Sequence, residues 1–350
     1  MHVFKKIMWL SLLLFALPVK SAVIIQYHHV DTDSPAVTSV TPTQFAEQMQ
    51  YLADNNFNVI KLSTLIEALK AKKALPDRTI AITFDDGYKS ILENAHPILK
   101  KHGFPYAMFI AIKPIEMKYR NMMSWQQINK IANEGAEIMN HSYGHDHLIR
   151  RLTNETQADW LARVQNNIEK TEAIIKKHTG QSHKVLAYPY GEYNSDIMAM
   201  LKTQGFAALG QQSGAVGQYS NLQSLARFPI AGAYTSLKSL KAKFTSLNMP
   251  VVKQVPINPE LAANQTKPKL TLILDMNDMY ASQVMCFITR QGAQKPKWIS
   301  DNSFEIQAKS DMPAGRFRYN CTAPSKSKSG YYWFSHAWIK PKLTGEWIKE

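Results

Sequence analysis

Between residues 22 and about 248, short and continuously apolar runs alternate with longer stretches whose apolar positions recur every three to four residues. Val23-Ile24-Ile25-Gln26-Tyr27 and Thr79-Ile80-Ala81-Ile82-Thr83-Phe84 are of the first kind, as are residues 106–112, 136–140 and 185–188. Runs this short, rich in β-branched and aromatic residues, predict buried strands. Residues 43–54, 64–72, 90–102, 124–133 and 155–179 have the helical period. Their ends carry matching punctuation: Thr41-Pro42 before the first, Gly103 after the third, Gly180 after the last. Strand–helix alternation of this kind predicts an α/β fold with parallel strands, closed as a barrel or open as a sheet.

The pattern changes after Pro250. Pro250, Pro256, Pro259 and Pro268 punctuate a polar stretch, residues 249–268, that reads as a linker. Beyond it, residues 270–274, 284–289, 304–308, 317–321 and 331–339 are short, β-prone and separated by turns, which predicts a small all-β, sandwich-like domain over residues 269–350. Its aromatic residues, among them Tyr319, Trp333 and Trp338, are expected as core rather than as a sugar-stacking platform.

The chain's first 21 residues have a different character. Lys5 and Lys6 precede an almost wholly apolar stretch, residues 7–17, and Pro18-Val19-Lys20-Ser21 follows. That arrangement predicts a signal peptide cut after Ser21, and hence a periplasmic or secreted protein; retention as an uncleaved anchor is the alternative. The stretch is short for a bilayer crossing, which takes about 20 apolar residues, and no later segment predicts a membrane span.

Composition adds limits. With 45% hydrophobic and 10% aromatic residues the 350-residue chain can bury a sizeable core and is not of the disordered class. The formal net charge of +14 favours anionic surroundings. The basic residues are scattered, however, with no arginine-rich stripe or nucleic-acid module, so no nucleic-acid partner is expected. In an exported protein the two cysteines, Cys286 and Cys321, are expected to pair as a disulfide.

Candidate chemistry sits at two strand ends. Thr83-Phe84-Asp85-Asp86-Gly87-Tyr88 puts adjacent carboxylates at the C-terminal end of a predicted strand, where α/β enzymes build their sites. Neighbouring residues there point apart, so one carboxylate can bind a metal while the other faces the water on it. His141-Ser142-Tyr143-Gly144-His145 follows another predicted strand, and its two imidazoles can converge on one ion, with His147 a competitor. Asp86, His141 and His145 suit a divalent cation, zinc first and cobalt or nickel as alternatives, and three ligands leave a position open for water.

Taken together, Thr-Phe-Asp-Asp-Gly and His-Ser-x-x-His resemble the polysaccharide deacetylase family, also called carbohydrate esterase family 4 or the NodB-homology domain. The resemblance spans residues 22–248 and extends to Ser124-Trp125 and Tyr188-Pro189-Tyr190-Gly191. It implies a distorted (β/α) barrel, with Asp85 as general base and Asp86, His141 and His145 as metal ligands. It also implies that the backbone N–H of Tyr190, in the turn with Pro189, stabilises the oxyanion. Two family features are missing: no Arg precedes Pro189 to brace Asp85, and the domain has no late Leu-x-His to act as acid. Tyr27-His28-His29-Val30, at the end of the first strand, instead resembles the poly-N-acetylglucosamine deacetylases, which implies His28 as general acid, with His29 the fallback. The expected function is metal-dependent removal of N-acetyl groups from a glucosamine-containing polysaccharide, a β-1,6-linked polymer foremost. Alternatives are a chitin-oligomer, peptidoglycan or O-acetyl-glycan deacetylase, and, in another class, a non-catalytic glycan-binding protein.

Overall fold

Why the strand segments are apolar throughout, rather than alternating, follows from their place between two packed layers. Residues 21–349 are described by the computed structural model. The expected signal peptide lies outside them except for Ser21, which heads strand β1 (Ser21–Tyr27). With β2 (Thr79–Phe84), β3 (Tyr106–Ile110), β4 (Glu137–Asn140), β5 (Val185–Ala187), β6 (Ala207–Leu209), β7 (Val216–Gly217) and β8 (Phe228–Pro229) it builds one sheet in the order β7-β1-β2-β3-β4-β5-β6, with β8 also paired to β1. All of these pairings are parallel except β7 with β1. Alternate residues feed two cores: Val23, Ile25, Ile80, Ile82 and Met108 enter one, while Ile24, Ala81, Ala107 and Phe109 enter the other. Both faces being covered removes the polar alternation, as in other parallel sheets. The sheet curls into an incomplete barrel, the form that the family resemblance implies.

Helices α1 (Pro42–Asp54), α3 (His96–His102), α4 (Trp125–Asn133) and α5 (Gln157–Thr179) pack outside it, whereas α2 (Leu62–Lys70) covers the other face, its Leu62, Leu65, Ile66 and Leu69 lying in the core of Ile24 and Phe109. Capping boxes start α1 at Thr41 with Gln44 and α4 at Ser124 with Gln127, and left-handed Gly103 and Gly180 close α3 and α5. The segment expected as one helix over residues 90–102 instead begins as a π turn, Ile91–Ala95, and continues as α3. Pro97 explains the change, since it has no N–H for the carbonyl of Glu93. Strands β6 to β8, two or three residues each, are too short to show a period and went unpredicted, as did the helices α6 (Ser195–Thr203) and α7 (Leu237–Phe244).

The expected linker proves structured in part. Within residues 249–268, β10 (Val251–Val255) pairs with β11 (Lys269–Leu274), and just before it β9 (Leu247–Asn248) joins another sheet. The other strands of this C-terminal region are β12 (Met285–Ile288), β13 (Gly292–Gln294), β14 (Lys297–Ser300), β15 (Ser303–Gln307), β16 (Gly315–Pro324) and β17 (Tyr331–Lys340). They form two sheets, β9-β17-β16-β12-β13 and β10-β11-β15-β14, enclosing a core that includes Leu270, Phe304, Tyr319 and Trp338. This is the expected sandwich. Cys286 and Cys321 lie opposite each other in β12 and β16 and are disulfide-bonded. Tyr319 and Trp338 are core, whereas Trp333 turns outward and meets Phe228 of the first domain edge to face at 5.2 Å. Among the described residues no helix is long and apolar enough to cross a membrane.

Candidate metal and catalytic site

Parallel strands ending side by side bring the two sequence motifs together. Asp85 and Asp86 follow β2, and His141 follows β4, two strands away in the sheet. The backbone leaves the strand sharply: Asp86 has φ 74°, and Gly87 has φ 90° with Ile110 Cγ2 only 3.1 Å from where a Cβ would sit. Ser142, His145 and Tyr190 are likewise left-handed, at φ 65°, 58° and 59°. Non-glycine residues hold that conformation at a cost, and such residues gather at functional sites.

His141 Nε2 and His145 Nε2 each lie 3.2 Å from Asp86 Oδ1. One ligand atom from each of the three residues falls within 4.8 Å of the others. Asp86 Oδ1 and His141 Nε2 are buried and have no hydrogen-bond partner, which is the condition of atoms shaped to share an ion. The Nδ1 of His141 is 2.7 Å from the Ala187 carbonyl, to which it donates, so Nε2 presents its lone pair to the site. Burial works to raise the Asp86 carboxyl pKa, but the adjoining imidazoles of His141 and His145 hold it well below the usual range. The residues therefore fit a divalent cation, and the N/N/O donor set suits zinc. His147 does not compete: its Nδ1 is 2.7 Å from Glu192 and its ring stacks on Tyr190 at 3.8 Å.

Asp85 is fully buried behind this cluster. Gln26 Nε2 donates to its Oδ2 at 2.6 Å, and Arg227 grips both oxygens, Nη1 to Oδ1 at 2.7 Å and Nη2 to Oδ2 at 2.8 Å. Burial opposes ionisation of Asp85, yet the charges of Arg227 and His141 lower its pKa. Arg227 is fully buried too and is fixed by the Gly210 carbonyl and by Thr83 Oγ1. Sequence reasoning noted that a brace for Asp85 was missing and did not find this one. Its signal was available: a lone charge inside the apolar run Leu225-Ala226-Arg227-Phe228-Pro229-Ile230.

His28, beyond β1, opens onto a cavity of about 580 Å³ that it lines with Asp86, His145 and Tyr190. His29 points elsewhere, stacked on Tyr88 at 3.7 Å with Nδ1 3.1 Å from Ser34 Oγ, and burial lowers its pKa. The structure thus gathers Asp86, His141, His145, Asp85, His28 and Tyr190 and leaves His29 outside. Pro189, buried, opens the 3₁₀ turn Pro189–Gly191 that carries Tyr190 to the cavity, where its ring meets His145 at 4.6 Å. His336, the late histidine of the chain, is buried in the second domain against Gln254.

Residues 72–209 match the family model described as polysaccharide deacetylase. A curated relative, the poly-beta-1,6-N-acetyl-D-glucosamine N-deacetylase of Staphylococcus aureus strain MRSA252, is 31% identical over 173 residues, 48% of this chain and 59% of that protein. The match thus covers less than two thirds of the relative. Among solved structures, Streptococcus pyogenes deacetylase PplD in complex with acetate has a TM-score of 0.58 at 21% identity, covering 65% of this chain and 99% of that one. IcaB from Ammonifex degensii has a TM-score of 0.57 at 23% identity, covering 65% and 98%. These two neighbours share the fold of the first domain.

Proposed function

We propose that this chain, whose residues 72–209 match the polysaccharide deacetylase model, is a metal-dependent hydrolase that removes N-acetyl groups from a glucosamine-containing polysaccharide, with a poly-β-1,6-N-acetylglucosamine-like polymer the favoured substrate. The observation that carries the reading is the convergence of Asp86, His141 and His145 beside a braced Asp85, with Asp86 and His145 lining an open cavity. The 31% identity to a poly-β-1,6-N-acetylglucosamine deacetylase supports the polymer.

A divalent ion held by those three residues would supply Lewis-acid polarisation of the acetyl carbonyl and a readily deprotonated water. Asp85, kept ionised by Arg227, accepts the proton as water adds to the carbonyl carbon. The Tyr190 N–H, set by its left-handed turn, faces the developing oxyanion. His28 donates a proton to the departing nitrogen as the C–N bond breaks, giving acetate and a free amine. A glycan-binding protein would have no use for a buried base beside a metal cluster. Export, with residues 1–21 as signal peptide, belongs to the same proposal and is supported by the disulfide.

The test measures acetate release from β-1,6- and β-1,4-linked N-acetylglucosamine oligomers by zinc- or cobalt-loaded protein. Asp85→Asn and His28→Ala are each expected to lower kcat by about 10²-fold or more. Metal bound at one equivalent with no release from either oligomer would overturn the reading.

A further inference from the structure

The cavity that holds His28, Asp86 and His145 is walled on its far side by the second domain. Residues of β16 alternate: Phe317, Tyr319 and Cys321 enter the sandwich core, while Arg316, Arg318 and Asn320 face the cavity. Resting on the deacetylase reading above, we propose that this row is a glycan-reading wall. In it Arg318 takes an acidic substituent, carboxylate or phosphate, on the sugar next to the one being deacetylated.

Contact with the catalytic centre is direct. Arg316 Nη1 donates to the Tyr190 carbonyl at 3.2 Å, its guanidinium lies 5.5 Å over the Tyr190 ring, and that ring touches His145. Arg316 is also 3.7 Å from Glu192, so it is engaged in holding the Tyr190 turn. Arg318 is two residues along the same strand face, about 7 Å from Arg316 along the strand. It is half-buried, and among the described residues no carboxylate lies within ion-pair distance of it; the groups that act on its charge are Arg316, Tyr234 and Tyr193.

A second cation of the same sign lines the cavity. Lys243 lines the same cavity and sits 4.8 Å over the Tyr234 ring, while burial lowers its pKa. Asp86, the acidic residue among those lining the cavity, is committed to the metal cluster. A partly desolvated guanidinium facing solvent-filled space without a counter-charge is costly, and an acidic ligand group removes that cost by binding to its planar fork. The same field repels an ammonium. Sugars beside an already deacetylated residue are therefore poor substrates, and the product pattern is dispersed rather than blockwise.

One scaffold tests this: a β-1,6-linked N-acetylglucosamine oligomer with a single free amine, used as such, re-acetylated or N-succinylated, together with an O-phosphorylated oligomer. Acetate release is measured with metal-loaded protein, and binding of the same series by titration calorimetry on Asp85→Asn. An acidic oligomer is expected to exceed the neutral one in kcat/KM and in affinity by about tenfold, with the amine-bearing one slowest. Whether the succinylated or phosphorylated oligomer leads names the acid. Arg318→Gln should bring the ratio of acidic to neutral toward one, Arg318→Lys should keep part of it, and added salt should shrink it. Unchanged thermal unfolding in both variants separates this from misfolding. Release without charge preference would overturn the wall and keep the deacetylase. Charge-selective binding without release would do the reverse.

Discussion

Asp85 and Arg227 form a fully buried, doubly hydrogen-bonded ion pair, and much of the site's behaviour follows from that. Two charges removed from water are stable only together, and removing one leaves the other uncompensated. Arg227→Gln should therefore cost about 3–5 kcal/mol of stability, read as a lower urea midpoint, along with most of the acetate release. Arg227→Lys should not restore activity, because an ammonium cannot reproduce the two-pronged grip. A second buried group titrates differently. Burial pushes the His336 pKa down to about 3, so folding keeps it neutral. Its folded value lies below the unfolded value of about 6.5, so its contribution is full above that value and is lost as pH falls toward about 3. Between those limits wild type should lose up to about 1.4 kcal/mol per pH unit more than His336→Gln, measured by unfolding at a series of pH values.

At the scale of elements, local signals governed where helices begin and end, and packing decided the rest. Thr41 starts its helix as Thr41-Pro42 predicts, and Ser124 caps in the same way, because the capping side chain, the N3 partner and the backbone N–H lie within three residues. By contrast β10 emerged from a proline-punctuated stretch that resembled a linker. It is an edge strand, and its half-exposed pattern carries no hydrophobic signature. The second domain is small, and its disulfide closes a loop between residues 35 apart in sequence. A Cys286→Ala/Cys321→Ala double variant should lose about 2–5 kcal/mol of stability, seen as an earlier unfolding transition.

On the scale of the whole molecule, the metal cluster ties together turns that follow β2 and β4. An ion that binds the folded chain and not the unfolded one stabilises it by mass action. Stripping the metal with a chelator should cost about 2.7 kcal/mol of stability for a metal held at 100 times its Kd, seen as a lower unfolding midpoint, and re-addition of zinc should restore it. Asp86→Ala should show no such response; an equal shift in that variant would place the ion elsewhere.

The sequence by itself determined the alternating strands, the adjacent carboxylates, the paired histidines and the β-rich second domain. Each rests on residues a few positions apart, and the C-terminal ends of parallel strands place such motifs at the same end of the sheet. Only the tertiary structure set His28 on the cavity, His29 against Tyr88 and His147 against Glu192, because a side chain's direction depends on what packs around it. It alone joined Asp85 to an arginine 142 residues later and brought Arg318 of the second domain to the cavity. Those contacts depend on sheet order and on how two cores pack, and neither leaves a periodic trace in the chain.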